Sequence, residues 1–230
     1  MLTLGIDQST SVGSLALLDD GRLMAETSWE DSGLHNQHLF TVLPRFLERA
    51  GVPPAQIGLY AVGLGPGSFS GLRNAVAGAQ GMALPAGKPV CGVSSGEAMA
   101  WDASSEYGTP HVAVVGDARR GRLWAAEFDV SAGAVSIVRP YFLSTPGDLD
   151  REIRRDALRV TPDWSRIDLS LKECVSTGAR IVEARRLPAA RTVAMLALAR
   201  FRGGQSPAPA IPIYLHPPVF VEPRYKPAQS

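Results

Sequence analysis

The chain has 230 residues, of which 45% are hydrophobic and 20% charged, and its formal net charge is +1. This composition is typical of a folded globular protein, and the length allows one large domain or two lobes of ordinary size. A net charge so close to zero excludes a general electrostatic attraction to nucleic acid. Any contact with RNA therefore needs a local basic patch or a partner protein.

The N-terminus and the cysteines indicate a cytoplasmic protein. The chain reaches Asp7 without a basic segment, unlike a signal peptide, and no apolar run approaches the ~20 residues of a membrane-spanning helix. Cys91 and Cys174 lie far apart and in no metal-binding spacing. We therefore expect reduced thiols and no membrane span.

The first part of the chain predicts strands and one amphipathic helix. Apolar runs bounded by turn residues predict strands over residues 2–7, 13–18, 22–29 and 57–64. The Asp19-Asp20-Gly21 sequence predicts a hairpin between the second and third strands. A stripe of apolar residues predicts a helix from about His38 to Ala50. Pro44 is expected to bend this helix or to mark a later start.

A glycine-rich loop, Gly65-Pro66-Gly67-Ser68-Phe69-Ser70-Gly71, follows the fourth strand and opens into a second helix. Backbone N–H groups at such a helix N-terminus can hold an anion or pack closely against another surface. No lysine follows Gly71, and Ser68 stands where a dinucleotide-binding loop has glycine, so neither kind of phosphate loop is predicted. We assign this helix to residues 71–84, with Ser70 as its N-cap.

This second helix carries two stripes of residues. The apolar stripe, which we expect in the core, comprises Leu72, Ala75, Val76, Ala79 and Ala83. The other comprises Gly71, Asn74, Gly78 and Gly81. Glycine inside a helix costs up to ~1 kcal/mol relative to alanine, so its recurrence on one face indicates that another backbone comes close. Either a partner's helix or tight packing within the chain explains this second stripe.

The rest of the chain predicts a second lobe that repeats the start of the first. A strand at 89–93 leads into a capping box, Ser94-Ser95-Gly96-Glu97, and a helix to about Ala103. We then predict strands at 111–115, 122–129 and 134–138, a turn at 116–121, helices at 146–155 and 189–202, and loop or extended chain at 206–210 and 217–230. The result is an α/β protein of two related lobes, residues 1–103 and a smaller lobe of residues 104–230.

Two strand ends carry a carboxylate beside polar residues. Asp7 stands next to Ser9 and Thr10, where it can hold a magnesium ion or phosphate-bound water, or cap backbone amides in an Asx turn. Asp117 holds the equivalent place in the second lobe, beside Arg119. The two carboxylates can face each other across a cleft, with arginines binding phosphate or an acidic partner, or the second segment can be a solvated hairpin tip.

Other polar residues favour structural roles. His35 and His38 suit a surface pair at a helix entry better than a shared metal. Ser68 and Ser70 lack a Gly-x-Ser-x-Gly elbow, which favours helix capping over nucleophilic catalysis. These histidines and serines therefore predict neither a metal site nor a catalytic nucleophile. A solvated face is the expected setting of Arg180, Arg185, Arg186 and Arg191.

Several motifs together resemble those of a known family. The densest are Gly65 to Arg73, Ala79-Gln80-Gly81-Met82-Ala83 and Gly92-Val93-Ser94-Ser95. The same pattern includes Leu4-Gly5-Ile6-Asp7 with Ser9 and Thr10, His38 with Leu43-Pro44, Asp117-Ala118-Arg119-Arg120-Gly121 and Ile213-Tyr214-Leu215. On these motifs the chain resembles the TsaB family, the bacterial, glycoprotease-like subunits of tRNA threonylcarbamoyladenosine biosynthesis.

The resemblance implies an actin- and hexokinase-like fold, with two ribonuclease-H-like lobes around a cleft and the second lobe reduced. It implies partnership with a catalytic paralogue, TsaD, and an ATPase, TsaE, which together move a threonylcarbamoyl group to the adenosine next to the anticodon of tRNA. The metal and transfer chemistry belong to the paralogue. The family member is a dimerisation platform built on its first two long helices, and it can pair with itself when alone.

Carried onto this sequence, the resemblance implies a partner interface and a vestigial cleft. The expected interface residues are His38, Leu39, Val42, Phe46, Gly71, Asn74, Gly78 and Gly81. The expected anion or nucleotide cleft comprises Asp7, Ser9, Thr10, Gly65, Gly67, Ser68, Asp117 and Arg119. His35 and His38 are one residue closer than the paralogue's metal pair, and no glycine-rich adenosine loop follows Asp129. We therefore expect no metal, no ATP and no other cofactor.

Two other functions fit some of the residues. Asp7, Asp117 and the glycine loop also suit an active phosphotransferase of the same fold, such as a small sugar or acetate kinase. His35 and His38 suit a metal-dependent peptidase. Micromolar binding of magnesium–ATP would favour the kinase, and bound zinc or iron would favour the peptidase.

Overall fold

The computed structural model describes residues 1–30, 38–174, 179–205 and 209–216, without the side chains of Glu173 and Cys174. The strands of this part are β1 (Leu2–Asp7), β2 (Val12–Asp19), β3 (Arg22–Glu30), β4 (Ile57–Gly63), β5 (Val90–Val93), β6 (His111–Arg119), β7 (Arg122–Ser131), β8 (Ala134–Ser144), β9 (Leu158–Thr161) and β10 (Ile181–Arg185). The α-helices are α1 (His38–Ala50), α2 (Phe69–Ala83), α3 (Ser95–Tyr107), α4 (Pro146–Glu152), α5 (Trp164–Cys174) and α6 (Ala190–Arg202).

The strands form two five-stranded sheets of the same topology. Their orders are β3-β2-β1-β4-β5 and, running in the same sense, β8-β7-β6-β9-β10. In each sheet the first three strands in sequence are antiparallel, and the last two add in parallel beside the first. This repetition confirms the prediction of two related lobes of the ribonuclease-H type.

Each sheet is covered by helices on both faces. In the first lobe, α1 and α2 pack on one face and α6 on the other. β4 shows why, because its side chains alternate between the two cores: Tyr60 and Val62 face α1 and α2, while Leu59 and Ala61 face α6. In the second lobe, α3 covers one face and α4 with α5 the other.

The last helix lies on the first lobe, although it follows the second lobe in sequence. β1 approaches the start of α6 so closely that a Cβ at Gly5 would lie 2.2 Å from the carbonyl oxygen of Ala190. The backbone N–H of Ala190 also donates to the hydroxyl of Ser14, at 3.1 Å. The division into residues 1–103 and 104–230 stays a prediction. α6 belongs to the second segment by sequence but packs on the sheet of the first lobe.

Several local predictions are confirmed, and others are wrong. The apolar stripe of α2 is buried, and the Ser94–Glu97 capping box opens α3. The N-cap of α2 is Ser68 and not Ser70, because the hydroxyl of Ser68 accepts the Gly71 N–H at 3.2 Å. The predicted turn at 116–121 is also wrong, because β6 continues to Arg119 and only Arg120 and Gly121 join it to β7.

Some elements escaped prediction, and some predictions fall outside the described residues. β9, α5 and β10 were not predicted; the two strands have four and five residues, too few to show a clear period. The segments 206–208 and 217–230 and the side chain of Cys174 lie outside what the structure describes. Among the helices it does describe, none is long and apolar enough to cross a membrane.

Candidate functional site

A cavity of about 890 Å³ opens between the two lobes. Six segments wall it: the turn after β1, the glycine loop with the start of α2, the end of β6, Trp124 of β7, the turn into α5 with its start, and an extended segment at residues 213–216. The polar lining residues are Ser9, Thr10, Ser11, Ser68, Arg73, Asp117, Arg119, Asp163, Arg166 and His216. Aromatic rings from Phe69, Trp124 and Tyr214 share the same walls.

The glycine loop is held against the turn that follows β1. The N–H of Ser68 donates to the carbonyl oxygen of Ser9 at 2.7 Å. A Cβ at Gly67 would lie 1.9 Å from that same carbonyl oxygen, so only glycine allows this approach. The Gly65–Pro66 peptide bond is cis. The glycines of this loop therefore serve close packing inside the chain.

Asp7 lies behind this loop and not in the cavity. Its side chain is fully buried; one oxygen accepts from the N–H and the hydroxyl of Ser9, at 2.9 and 2.7 Å, and the other from the hydroxyl of Ser95 at 2.6 Å. Burial is the largest influence on this carboxyl and raises its pKa, against these hydrogen bonds. The geometry matches the Asx-turn alternative, and Asp7 does not face Asp117 across the cavity.

Asp117 does line the cavity, within a small charged cluster. Its carboxylate accepts the Arg119 N–H at 2.7 Å and contacts the guanidinium groups of Arg119 and Arg166, at 3.2 and 3.7 Å. Its own N–H donates to Asp163 at 2.9 Å. Arg119 has a positive φ of 66°, which non-glycine residues seldom adopt.

Residues 209–216 cross from one lobe to the other. The N–H of Ile213 donates to the carbonyl of Leu64 at 2.8 Å, and Ile213 packs on the first core while Leu215 packs on the second. The ring of Tyr214 lies 5.2 Å from that of Phe69. Nε2 of His216 donates to the carbonyl of Ala118 at 2.7 Å. The predicted late motif Ile213-Tyr214-Leu215 thus walls the cavity.

The structure brings together most, but not all, of the predicted cleft. Asp7 and Gly65 lie outside the cavity lining, whereas the other predicted residues line it: Ser9, Thr10, Gly67, Ser68, Asp117 and Arg119. Sequence reasoning missed the roles of Arg73, Arg166 and Tyr214. Arg73 and Tyr214 belong to motifs that were noted, but Arg166 lies on α5, which gave no clear sequence pattern.

The predicted interface residues divide by burial. Leu39, Phe46 and Gly71 are buried within the first lobe, and a Cβ at Gly71 would lie 2.2 Å from the Gln8 carbonyl oxygen. His38, Val42 and Asn74 are half-buried. A Cβ at Gly78 would touch Phe40 and Leu39 of α1, at 3.5 and 3.6 Å, whereas one at Gly81 would meet nothing within 4 Å. The small-residue stripe therefore combines packing inside the chain with open surface.

The histidine pair is only partly visible. His35, Asn36 and Gln37 lie outside the described residues, and His38 is the first residue of α1. In the described parts of the chain, no three histidine, cysteine, aspartate or glutamate side chains come together as a potential metal site.

Comparisons with known proteins identify relatives of this chain. The family model described as "TsaD: tRNA N6-adenosine threonylcarbamoyltransferase" matches residues 30–150, slightly over half of the chain. The chain is 36% identical over 128 residues to the tRNA threonylcarbamoyladenosine biosynthesis protein TsaB of Escherichia coli. That alignment covers 56% of this chain and 55% of the relative, so the chain spans about half the length of the curated protein it matches.

Two solved structures share the fold over nearly their whole length. The chain is 25% identical to YeaZ from Pseudomonas aeruginosa, with a TM-score of 0.77, covering 93% of this chain and 100% of that one. It is 27% identical to a protein described as similar to peptidase YEAZ from Pseudomonas aeruginosa, with a TM-score of 0.80 and coverages of 94% and 99%.

Proposed function

This chain belongs to the family of TsaD, tRNA N6-adenosine threonylcarbamoyltransferase, and we propose that it is a non-catalytic subunit of a tRNA-modifying complex. In this proposal the complex transfers a threonylcarbamoyl group to the adenosine next to the anticodon. The chain is the dimerisation platform and activator of the catalytic paralogue TsaD. The relatives named TsaB support the assignment.

The first-lobe cleft residues are committed to structure, which supports a non-catalytic role. Both oxygens of Asp7 are occupied by Ser9 and Ser95, and no part of Asp7 lines the cavity. A phosphotransferase that used Asp7 would need this carboxylate free and facing its substrate. The hydroxyl of Ser68 caps α2, so it is engaged as an acceptor. These contacts do not favour the kinase alternative.

The platform role rests on one surface, the α1–α2 face, which we define by Phe40, Ala77, Gly81 and Leu84. Phe40 is 50% exposed and Leu84 81% exposed, and Gly81 between them has open space above it. Exposed apolar side chains around a helix position that lacks a Cβ suit the close approach of another helix. This face is the observation that carries the proposal.

The remaining partners follow the same proposal. TsaE joins the assembly as the ATPase, tRNA is reached through the complex, and the chain pairs with itself through the α1–α2 face when TsaD is absent. The cytoplasm, where tRNA is modified, is the expected location.

The test is assembly with the paralogue. Purified chain is mixed with TsaD, and the mass of the product is measured by light scattering. We expect a stable heteromer with the wild-type chain and its loss with Gly81→Arg, because the new side chain occupies the space that the partner helix needs. Gly147→Arg is the matched control, since Gly147 is also a helical glycine, and a Cβ added there would meet nothing within 4 Å.

The assembly experiment can support or contradict the platform role. Melting temperatures of both variants that are no lower than that of the wild type show that neither change unfolds the chain. Assembly that survives Gly81→Arg, or a wild-type chain that never pairs with TsaD, contradicts the platform role.

A further inference from the structure

A cluster of arginines surrounds the mouth of the inter-lobe cavity. The tip of the β6–β7 hairpin carries three exposed arginines: Arg119 lines the cavity, and Arg120 and Arg122 adjoin it on the hairpin without lining the cavity themselves. Arg73 of α2 and Arg166 of α5 line the cavity with Arg119. The carboxylates that line it, Asp117 and Asp163, are fewer than these arginines. The mouth is therefore a positively charged region on a chain whose overall charge is close to zero.

Two arginines of the β6–β7 hairpin have backbone φ angles that arginine seldom adopts. Arg119 and Arg120 both have positive φ, at 66° and 54°, where asparagine or glycine is preferred. The Asp117 carboxylate accepts the N–H of Arg119, and this hydrogen bond stabilises the start of the turn. Arg120 and Gly121 share the turn geometry of the other two hairpins, where Asp20 and Ala132 have φ of 49° and 48°. The additional positive φ at Arg119 is what distinguishes this hairpin.

Aromatic rings stand beside the arginines. Phe69 and Tyr214 are 54% and 47% exposed, and their ring centroids are 5.2 Å apart. The guanidinium of Arg73 lies 4.1 Å from the centre of the Phe69 ring, and its Nε donates to the Tyr214 hydroxyl at 3.4 Å. Among the described residues, no carboxylate forms a salt bridge with Arg73, whose named contacts are the Phe69 ring and the Tyr214 hydroxyl.

We infer that this mouth, the five arginines with Phe69 and Tyr214, binds a single-stranded segment of RNA. Backbone phosphates lie against the arginines, and an unstacked base lies on the Phe69 and Tyr214 rings. Arginine grooves lined with aromatic rings are the usual means of binding single strands, whereas the bases of a duplex are hidden in its stack. The choice of RNA rests on the proposed function, because the substrate of the proposed complex is a tRNA.

Fluorescence anisotropy with a labelled single-stranded oligoribonucleotide tests the inference on the full chain, alone and with TsaD added. Two exposed arginines are reversed in Arg120→Glu/Arg122→Glu. We expect affinity to fall at least about tenfold, and the dependence of log K on log salt to flatten by roughly 1.4, because each lost single-strand phosphate contact contributes ~0.7. The control is Arg151→Glu, an 85% exposed arginine of α4 that belongs neither to the β6–β7 hairpin nor to the cavity lining.

A second variant separates stacking from charge. Phe69→Ala is expected to lower affinity by roughly fivefold to a hundredfold, the range of a lost base–aromatic stack, and to leave the salt dependence unchanged. Circular dichroism melting checks that each variant is folded. Equal losses for an RNA duplex of the same sequence would contradict the stacking part.

The outcomes distinguish this inference from the proposed function. If the double glutamate variant still assembles with TsaD but loses RNA, both stand. Wild-type affinity for RNA in that variant, or no measurable RNA binding by the wild-type chain alone and with TsaD, overturns the inference and leaves the platform role intact. Displacement of the RNA by poly-glutamate at a lower concentration than by unlabelled RNA would instead identify the mouth as a site for an acidic peptide.

Discussion

The hydroxyl of Ser95 donates a hydrogen bond of 2.6 Å to the carboxylate of Asp7, although the two residues are 88 positions apart. The same hydroxyl accepts the N–H of Gly65 at 3.0 Å, and the N–H of Ser95 donates to the carbonyl of Gly65. One serine at the start of α3 therefore joins the end of β1 to the glycine loop. This buried connection positions the loop that walls the cavity.

The raised pKa of Asp7 predicts a specific pH dependence of stability. The folded state holds a proton that the unfolded state releases above its ordinary pKa of about 3.9, so stability must fall as pH rises from that value through the higher pKa of the folded protein. Asp7→Asn removes this titration. We expect the wild-type free energy of unfolding, measured in urea across that range, to decline relative to the variant; parallel curves would contradict the assignment.

Two glycines of α2 are expected to respond oppositely to alanine. Gly71→Ala places a Cβ against the Gln8 carbonyl and should destabilise the chain by about 1–3 kcal/mol, the usual cost of overpacking. Gly81→Ala meets open space and should stabilise the helix by up to about 1 kcal/mol. Urea unfolding measures the free energy of unfolding of the two variants. A similar change in both would show that close packing does not explain the glycines on this face of α2.

The N-cap residue of α3 is expected to contribute more to the free energy of unfolding than the N-cap residue of α4. Ser94 accepts the Glu97 N–H, contacts the Tyr141 hydroxyl and is buried, so Ser94→Ala should lower the free energy of unfolding by about 1–2 kcal/mol. Thr145 makes no such cap, and Thr145→Ala is the matched control. Thermal or urea melts compare the two, and equal losses would be inconsistent with a capping role for Ser94.

The strained hairpin predicts a gain in stability. Arg120→Asn replaces a residue that disfavours φ of 54° with one that tolerates it, and should raise the free energy of unfolding by about 0.5–1 kcal/mol. If the arginine serves RNA binding, the same variant should bind the oligoribonucleotide more weakly. A variant that is no more stable than the wild type would show that the turn carries no strain.

The elements that followed simple periods were predictable. β1, α1 and the apolar face of α2 were assigned nearly to the residue, because alternating or helical apolar spacing records which face is buried. β9 and β10 were not, because a strand of four or five residues in parallel pairing depends on its neighbours for its conformation.

The candidate site was only half predictable. Ser9, Gly67 and Asp117 were placed in the cleft from local motifs, and they line it. Asp7 was placed there by the same logic, but Ser95 binds it from behind. No local pattern could have shown this, because the bond joins residues brought together only when α3 packs beneath the glycine loop.

The amino-acid order was enough to predict the two-lobed α/β fold and the glycine loop that opens into α2, while the family came from the resemblance of its motifs to known ones. It could do so because hydrophobic period, turn chemistry and the need for a bare Cα are properties of neighbouring residues. Three-dimensional packing was needed to show that α6 returns to the first sheet, that residues 213–216 cross to the second lobe, and that Arg73, Arg119 and Arg166 share one cavity. Those outcomes depend on contacts between distant segments, which no local pattern encodes.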